Sequence, residues 1–286
     1  KISMNEIETT QSKSKYFNFN EVVNFNLHKV SAFEGWNKIF VLKLNILKEE
    51  IISNSYFKKN FSEIHNKEKI LVVIKGKLSF ENEDNNFKLR EFDAVNIYSD
   101  EKKYKIICEE NTTAFLVSAK KLKTSTSPDV FFFNFRKDIK PVDLWGGKII
   151  SRPYEGKKLN LVLFEIKKGF TFQDQGHYNE QVTWLVDGSM NFYVKDIKKK
   201  LSPSDGVDIG PYDLHGGVSD NAIGFDAFFP KREEKKYKNA TMSKISRNIV
   251  WIKINRSIKN YGYLKTFFRL LKHPIYKIFK KNYEFR

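Results

Sequence analysis

The sequence predicts an all-β chain built from two similar barrels and followed by a basic helical tail. Three observations lead to this prediction: an internal repeat, short β-forming runs separated by turn residues, and helical periodicity confined to the C-terminal end. At 286 residues the chain is long enough for two domains, each with a hydrophobic core of its own.

The internal repeat is the strongest of these signals. The stretch "EIHNKEKILVVIKGKLSF" (Glu63–Phe80) is matched by "QGHYNEQVTWLVDGSMNF" (Gln175–Phe192). Three landmarks recur at one offset of 112 residues: His65 and His177, Gly76 and Gly188, and Asp93 and Asp205. A repeat of about a hundred residues is a domain rather than a solenoid unit.

Within each repeat the strand signals are short runs of Val, Ile, Phe and Tyr that end at Gly, Asp, Asn or Pro. "WNKIFVLKLNIL" (Trp36–Leu47) and "KLNLVLFEI" (Lys158–Ile166) alternate enough to be half-buried strands. "QVTWLVDGSMNFYV" (Gln181–Val194) is typical of two strands joined by a turn at Asp187 and Gly188.

These patterns predict four segments. Residues 1–30 are an N-terminal extension, 31–125 a degenerate N-terminal barrel, 126–230 a C-terminal barrel that carries the site, and 231–286 a basic linker and amphipathic helical tail.

Composition excludes several classes of protein. The single cysteine, Cys108, allows no internal disulfide and none of the zinc-finger spacings. No apolar run is long enough for a membrane span, and the polar N-terminus does not have the pattern of a signal peptide, which favours a cytoplasmic location. Neither a phosphate-binding glycine loop nor a Gly-x-Ser-x-Gly elbow occurs.

The second repeat resembles the motifs of the cupin superfamily, and the tandem arrangement resembles a two-domain bicupin. In the first motif, Gly169 is followed after five residues by Gln175-Gly176-His177, then by Gln181 and, after six more, by Gly188. The second motif is matched by Gly206, Pro211 and His215. The resemblance implies jelly-roll barrels, each a double-stranded β-helix, and pairing of subunits through them into a homodimer.

The resemblance also implies a metal site. Carried over position by position, its ligands would be His177, His215, Gln175 and Gln181, so amides replace one histidine and the usual carboxylate. Glu180 is an additional candidate if a bulge shifts the strand register. Fe, Mn, Ni or Zn would be the ion. The corresponding N-terminal positions are Glu63, His65, Lys69 and Lys103, and their lysines predict a metal-free barrel.

Two other interpretations of the C-terminal site stay open. The histidines could hydrogen-bond a ligand without a metal, with His177 and His215 as acid–base groups and Tyr212 or Asp213 as a proton donor or acceptor. Alternatively, both histidines could be buried structural residues. Four aromatic residues are predicted to line the pocket, with a place in the hydrophobic core as the alternative for most of them: Trp184, Phe192, Phe225 and Phe228.

The tail has its own chemistry. After Pro230 lie 17 of the 51 Lys and Arg residues but only three of the 34 Asp and Glu residues. "YLKTFFRLLKHPIYKIFKK" (Tyr263–Lys281) places Leu, Phe and Ile at helical spacing, interrupted at Pro274. Residues 257–286 therefore suit peripheral contact with an anionic inner-membrane surface or a membrane enzyme. Packing of the stripe onto the barrels or a second subunit is the alternative, and nucleic acid fits less well because the apolar stripe would be idle.

Three functional hypotheses follow. The first is an enzyme of the isomerase, epimerase or lyase type acting on a sugar or sugar acid, a substrate class that the resemblance implies. The second is a non-catalytic module that binds a sugar or a protein and is tethered by its basic tail. The third is a metal-dependent dioxygenase, which the lack of a motif carboxylate disfavours.

Overall fold

The computed structural model describes residues 14–21, 24–26, 29–35, 39–98, 103–119, 130–174 and 176–232. This part of the chain is almost entirely β-structure, which confirms the predicted fold class. Its helices are α1 (Asn54–Asn60) and a 3-10 turn at Ser62–Ile64. Gln175 and the predicted tail helix lie outside the described residues. None of the described helices has the length and hydropathy needed to span a membrane.

The N-terminal barrel consists of two facing sheets with apolar side chains between them. A seven-stranded sheet has the order β12-β9-β6-β11-β4-β3-β2, and a four-stranded sheet has the order β5-β10-β7-β8. The strands are β2 (Asn24–Asn26), β3 (Lys29–Glu34), β4 (Ile39–Ile46), β5 (Ile51–Ser53), β6 (Lys69–Lys75), β7 (Leu78–Asn82), β8 (Asn86–Leu89), β9 (Asp93–Ile97), β10 (Tyr104–Cys108), β11 (Thr112–Ala119) and β12 (Val130–Asn134).

The C-terminal barrel is built from a single nine-stranded sheet. Its central path is β1-β19-β17-β20-β15-β14-β13, with β16 paired to β20 and β18 to β17. The strands are β1 (Lys15–Asn18), β13 (Val142–Leu144), β14 (Ile149–Glu155), β15 (Asn160–Ile166), β16 (Thr171–Asp174), β17 (Glu180–Val194), β18 (Ile197–Leu201), β19 (Asp205–Ile209) and β20 (His215–Phe229). The predicted hairpin turn at Asp187 and Gly188 is instead an irregularity within β17, where the register with β20 shifts and the strand bends into the second layer.

The two barrels exchange strands. β1 pairs with β19 of the C-terminal barrel, and β12 pairs with β9 of the N-terminal barrel. The same hydrogen bond occurs at both exchanged strands, on the repeat-related Asp205 and Asp93. Asn18 Nδ2 donates to Asp205 Oδ1 at 2.7 Å, and Asn134 Nδ2 donates to Asp93 Oδ1 at 2.6 Å. The repeat therefore includes the exchanged strands, although the predicted segment boundaries at 30 and 125 stay predictions.

A third hydrophobic cluster lies between the barrels, separate from the two barrel interiors. Because side chains alternate along a strand, Val182 and Trp184 of β17 face the other barrel, whereas Leu185 packs in the interior of its own. Trp184 is fully buried there against Phe115 and Phe225. Both barrels belong to one compact unit.

Candidate metal centre

The candidate site lies at one end of the C-terminal barrel, where three strand ends meet. β16 ends at Asp174, β20 begins at His215, and these two residues are directly paired across the sheet. A short loop then leads through His177 to β17. Antiparallel pairing thus brings a carboxylate beside an imidazole from a segment about forty residues away.

A close backbone contact holds the two loops of the site together. Gly176 has a positive φ of 87°, and a Cβ at this position would lie 2.6 to 2.9 Å from the backbone of Tyr212. The Tyr212 backbone N–H donates to the His177 carbonyl at 2.6 Å. Only glycine allows this approach, so Gly176 is needed to place His177 next to the turn before His215.

Asp174, His177 and His215 form a group whose candidate ligand atoms lie within 4.8 Å of one another. The two imidazole rings are 5.5 Å apart and nearly perpendicular, and both side chains are buried. His177 Nδ1 donates to the Asn179 carbonyl at 3.1 Å, and His215 Nδ1 donates to the Asp213 carbonyl at 2.9 Å. These bonds leave the lone pair of each neutral imidazole on Nε2, as a metal ligand requires.

Gln181 extends the group into the barrel. Its Oε1 lies 2.8 Å from His177 Nε2, while its Nε2 donates to Thr183 Oγ1 at 2.9 Å and to Asp226 Oδ1 at 3.0 Å. Two acceptor atoms, the amide oxygen and the unprotonated imidazole nitrogen, thus face each other. A proton on His177, a reversed amide or a cation between them satisfies the pair.

The charges at the site favour neutral histidine and ionised aspartate. Burial, together with the nearby positive charge of Arg232, lowers the pKa of His177 to about 4. Burial alone would raise the pKa of Asp174, but Arg232 and the two histidines hold it at about 2. Burial raises the pKa of Asp226, whose Oδ1 accepts from Gln181 Nε2 and Thr183 Oγ1. At neutral pH the group therefore offers the neutral imidazole of His177 and the carboxylate of Asp174.

This donor set fits a divalent first-row metal ion. Two imidazoles and one carboxylate are hard-to-borderline ligands of the kind that Fe, Mn, Ni and Zn accept. Gln181 Oε1 is positioned as a further oxygen donor beside His177. The described residues therefore contain a group that can hold a metal, and they do not distinguish among the four predicted ions.

The structure brings some predicted site residues together and separates others. His177, His215 and Gln181 meet at the site. Glu180 points to the other face of β17: its Oε1 accepts from the Ile39 backbone N–H at 3.4 Å in the N-terminal barrel. No register shift occurs at this end of β17, so the condition under which Glu180 would be a ligand is not met.

Tyr212 contributes to the site through its backbone. It has a positive φ of 61°, and its side chain is 51% exposed. Asp213, the other residue predicted for proton transfer, accepts from Ser14 Oγ at 2.6 Å and pairs with Lys195 Nζ at 2.5 Å. Its carboxylate thus links Ser14, the residue before β1, to Lys195 of the C-terminal barrel.

The predicted aromatic lining divides in the same way. Phe192 and Phe228 lie beside the histidines, with ring centroids 6.2 Å from His215 and 5.6 Å from His177, respectively. Trp184 and Phe225 belong to the cluster between the barrels, so they are core residues and do not line the pocket. The alternation of β17 and β20 is the reason, because neighbouring residues face opposite sides.

Two residues at the site were missed by sequence reasoning. Asp174 supplies the carboxylate that the motif comparison could not find, and Arg232 Nη2 bonds Asp174 Oδ2 at 2.8 Å. The motif position is occupied by Gln175, the residue next to Asp174. A usable signal was present, since Asp174 is the one acid between Gly169 and His177.

The corresponding N-terminal positions have a different chemistry. Glu63 and Lys103 are exposed, and His65 is half-buried. Lys69, which corresponds to Gln181, is fully buried and donates from Nζ to the Lys67 carbonyl at 2.8 Å. That this barrel is metal-free stays a prediction.

Solved structures similar to this chain include protein YlbA from Escherichia coli (12% identity, TM-score 0.61, covering 76% of this chain and 91% of that one). A "Cupin 2 conserved barrel domain" protein from Leptotrichia buccalis is 15% identical (TM-score 0.53, 78% and 99% covered). Oxalate decarboxylase OxdC from Bacillus subtilis is 11% identical (TM-score 0.60, 78% of each chain). No protein-family model and no curated protein sequence matches the chain.

Proposed function

We propose that this chain, which has the cupin fold, is a metal-dependent enzyme that acts on a small carboxylate-bearing sugar derivative in its C-terminal barrel. The observation that carries this proposal is the group formed by half-buried Asp174 and the buried His177 and His215, whose ligand atoms lie within 4.8 Å of one another. The reaction type is an isomerisation, an epimerisation or a related lyase step.

The residues of the chain would divide the work as follows. Asp174 Oδ and the Nε2 atoms of His177 and His215 would hold the ion, with Gln181 Oε1 beside them. A divalent ion held there would act as a Lewis acid on a substrate oxygen. Asp226 lies next to Gln181, and its Oδ1 accepts from Gln181 Nε2 and Thr183 Oγ1, which fixes the amide so that its oxygen faces His177.

The position of Arg232 favours a substrate that carries a carboxylate over a neutral sugar. Its guanidinium bonds Asp174 Oδ2 and lies 5.2 Å from the Phe228 ring centroid, beside the histidines. Guanidinium pairs with carboxylates through two parallel hydrogen bonds, so Arg232 can orient a substrate carboxylate at the site. The similar solved structures also support a metal-dependent enzyme that acts on an acid. They include an oxalate decarboxylase, and the name of one of them refers to the Mn(II) centres of that enzyme.

The second candidate is a metal-dependent dioxygenase. One specific observation favours it, namely that Asp174 restores the combination of two histidines and one carboxylate that non-haem iron oxygenases use. Asp174 thus supplies the carboxylate whose absence from the motif positions disfavours this class in the sequence.

One experiment separates these candidates. The full chain is loaded in turn with Mn²⁺, Fe²⁺, Ni²⁺ and Zn²⁺, then incubated in D₂O with a panel of uronic and aldonic acids and the matching neutral sugars. Deuterium exchange at carbon, or new sugar isomers in the NMR spectrum, supports the isomerase or epimerase, and substrate-dependent oxygen consumption supports the dioxygenase. A metal-loaded protein that does neither, and releases no lyase product, would contradict both.

Arg232→Gln tests the choice of substrate. If Arg232 binds the carboxylate, this variant raises KM for acids by roughly ten- to a hundredfold and leaves metal content unchanged. Lys198→Gln is a matched control, because Lys198 is an exposed cation on β18.

A further inference from the structure

A large cavity lies between the two barrels, apart from the candidate metal centre. Its volume is about 960 Å³, and both barrels contribute to its walls. Apolar side chains from both sides are part of the lining: Ile74, Phe92, Phe115, Leu185, Val186 and Ile223. Nothing in the function proposed above uses this cavity.

Cations outnumber acids around the cavity. Five basic side chains contribute to its wall: Lys43, Lys75, Lys77, Arg90 and Arg136. Three acidic side chains also line it: Glu91, Glu110 and Asp187. Some of the cations are neutralised, since Lys77 pairs with Glu109 at 2.6 Å and Arg136 lies 3.4 Å from Glu165.

Lys43 differs from the other four basic residues of the wall because its side chain is buried. It is 8% exposed, and its ammonium donates to Asn20 Oδ1 at 2.9 Å and to Ser204 Oγ at 2.7 Å. Both acceptors are neutral, and no carboxylate among the described residues forms an ion pair with Lys43. Burial lowers the pKa of this ammonium, as expected for a desolvated cation without an anion beside it.

The internal repeat shows that the fold does not need a lysine here. The bonds from Gly35 N to the Ile39 carbonyl and from Gly156 N to the Leu159 carbonyl mark equivalent turns in the two barrels. Four residues beyond these turns lie Lys43 and Leu163. Leu163 is fully buried in the cluster between the barrels. The chain thus places a cation where its own second copy places a leucine, although burying an uncompensated charge is costly.

We propose that the cavity between the barrels is a second binding site, which takes a small organic anion through its phosphate or carboxylate group. The ammonium of Lys43 is the anchor for the anionic oxygens. Arg90 and Lys75 add positive charge at the wall, and the apolar residues between them contact the remainder of the molecule. The site draws on both barrels, so an occupant would also hold the barrels together.

Calorimetric titration of the full chain with pyrophosphate and with citrate tests the proposal. Lys43→Leu copies the residue of the other barrel, and should weaken binding of at least one probe about tenfold or more, the value of one charge-assisted contact. Lys198→Leu removes the same charge from exposed β18 and should change the affinity by less than about twofold. Pyrophosphate alone would identify a phosphate site, and citrate alone a carboxylate site.

A second variant keeps the test decisive if Lys43→Leu does not fold. Arg90→Gln together with Lys75→Gln changes only exposed wall residues, and should also weaken the probe. Three results would overturn the proposal: neither probe binds the wild-type chain, Lys43→Leu binds as the wild type does, or Lys198→Leu loses as much affinity as Lys43→Leu. The last result would assign the binding to net positive charge rather than to the cavity.

Discussion

Glu68 and Glu180 occupy equivalent positions in the two repeats, and each is buried with its carboxylate against the other barrel. Glu68 accepts from the backbone N–H groups of Lys157 and Lys158, both at 2.7 Å, and Glu180 accepts from the Ile39 N–H at 3.4 Å. Each barrel therefore supplies a carboxylate that accepts hydrogen bonds from backbone N–H groups in a turn of the other barrel. This reciprocal contact explains why both repeats keep a glutamate whose neighbour, Lys69 or Gln181, faces its own barrel.

Removal of Glu68 should therefore destabilise both barrels together. Its carboxylate also accepts from Asn96 Nδ2 at 2.9 Å, so Glu68→Ala removes three hydrogen bonds that a buried carboxylate accepts. We expect a loss of roughly 3 kcal/mol in the free energy of unfolding, measured by urea denaturation. Glu63→Ala, five residues earlier and exposed, should cost less than about 0.5 kcal/mol. Equal effects of the two variants would contradict the reciprocal contact.

Gly176→Ala should damage the site more than an ordinary glycine substitution. Both Gly176 and Gly169 have positive φ values, 87° and 73°, but an added Cβ collides with the Tyr212 backbone only at Gly176. Gly169→Ala is thus a control for the conformational cost alone, about 1 kcal/mol. We expect Gly176→Ala to lower metal occupancy, measured by elemental analysis, and Gly169→Ala to preserve it. Full occupancy in both variants would show that the contact with Tyr212 does not position His177.

The pKa of Glu109 predicts acid sensitivity of the N-terminal barrel. Lys77, Lys88 and Ser79 bond this carboxylate and lower its pKa to about 2, below its value of about 4.5 in an unfolded chain. A lowered pKa stabilises the folded state above pH 4.5, and this contribution is lost as the pH falls toward 2. Glu109→Gln should therefore lower Tm at pH 7 and have little effect near pH 2. A difference in Tm that is constant over this range would contradict the assignment.

We expect the basic tail to bind anionic lipid. The full chain should sediment with vesicles that contain phosphatidylglycerol and not with neutral vesicles, and added salt should release it. Phe268→Asp interrupts the apolar stripe of residues 263–281 and should weaken sedimentation several-fold, whereas Ser257→Asp adds the same charge outside the stripe. If both variants bind alike, the tail contributes only charge.

The fold could be predicted because the internal repeat and the turn residues between the β-forming runs are visible in the sequence itself. Sequence reasoning also found His177 and His215, because both lie on motif positions. It missed Asp174, since the partner of His215 across the sheet depends on register that no spacing reveals. The strand exchange was missed for a similar reason: pairing of β1 with β19 joins residues almost two hundred positions apart. The position of Trp184 could not be predicted, because alternating residues of a strand face opposite sides. Which side faces the other barrel is known only from the structure.

Metal content of the untagged full chain is the most direct test of the proposed centre. Elemental mass spectrometry, after incubation with Fe, Mn, Ni and Zn, should show close to one ion per chain. His177→Ala, His215→Ala and Asp174→Asn should lose it while retaining the circular dichroism of the wild type. Glu180→Gln should keep the ion, because Glu180 faces the other barrel. A wild-type chain that takes up no metal, or an Asp174→Asn variant that retains it while Glu180→Gln does not, would contradict the account.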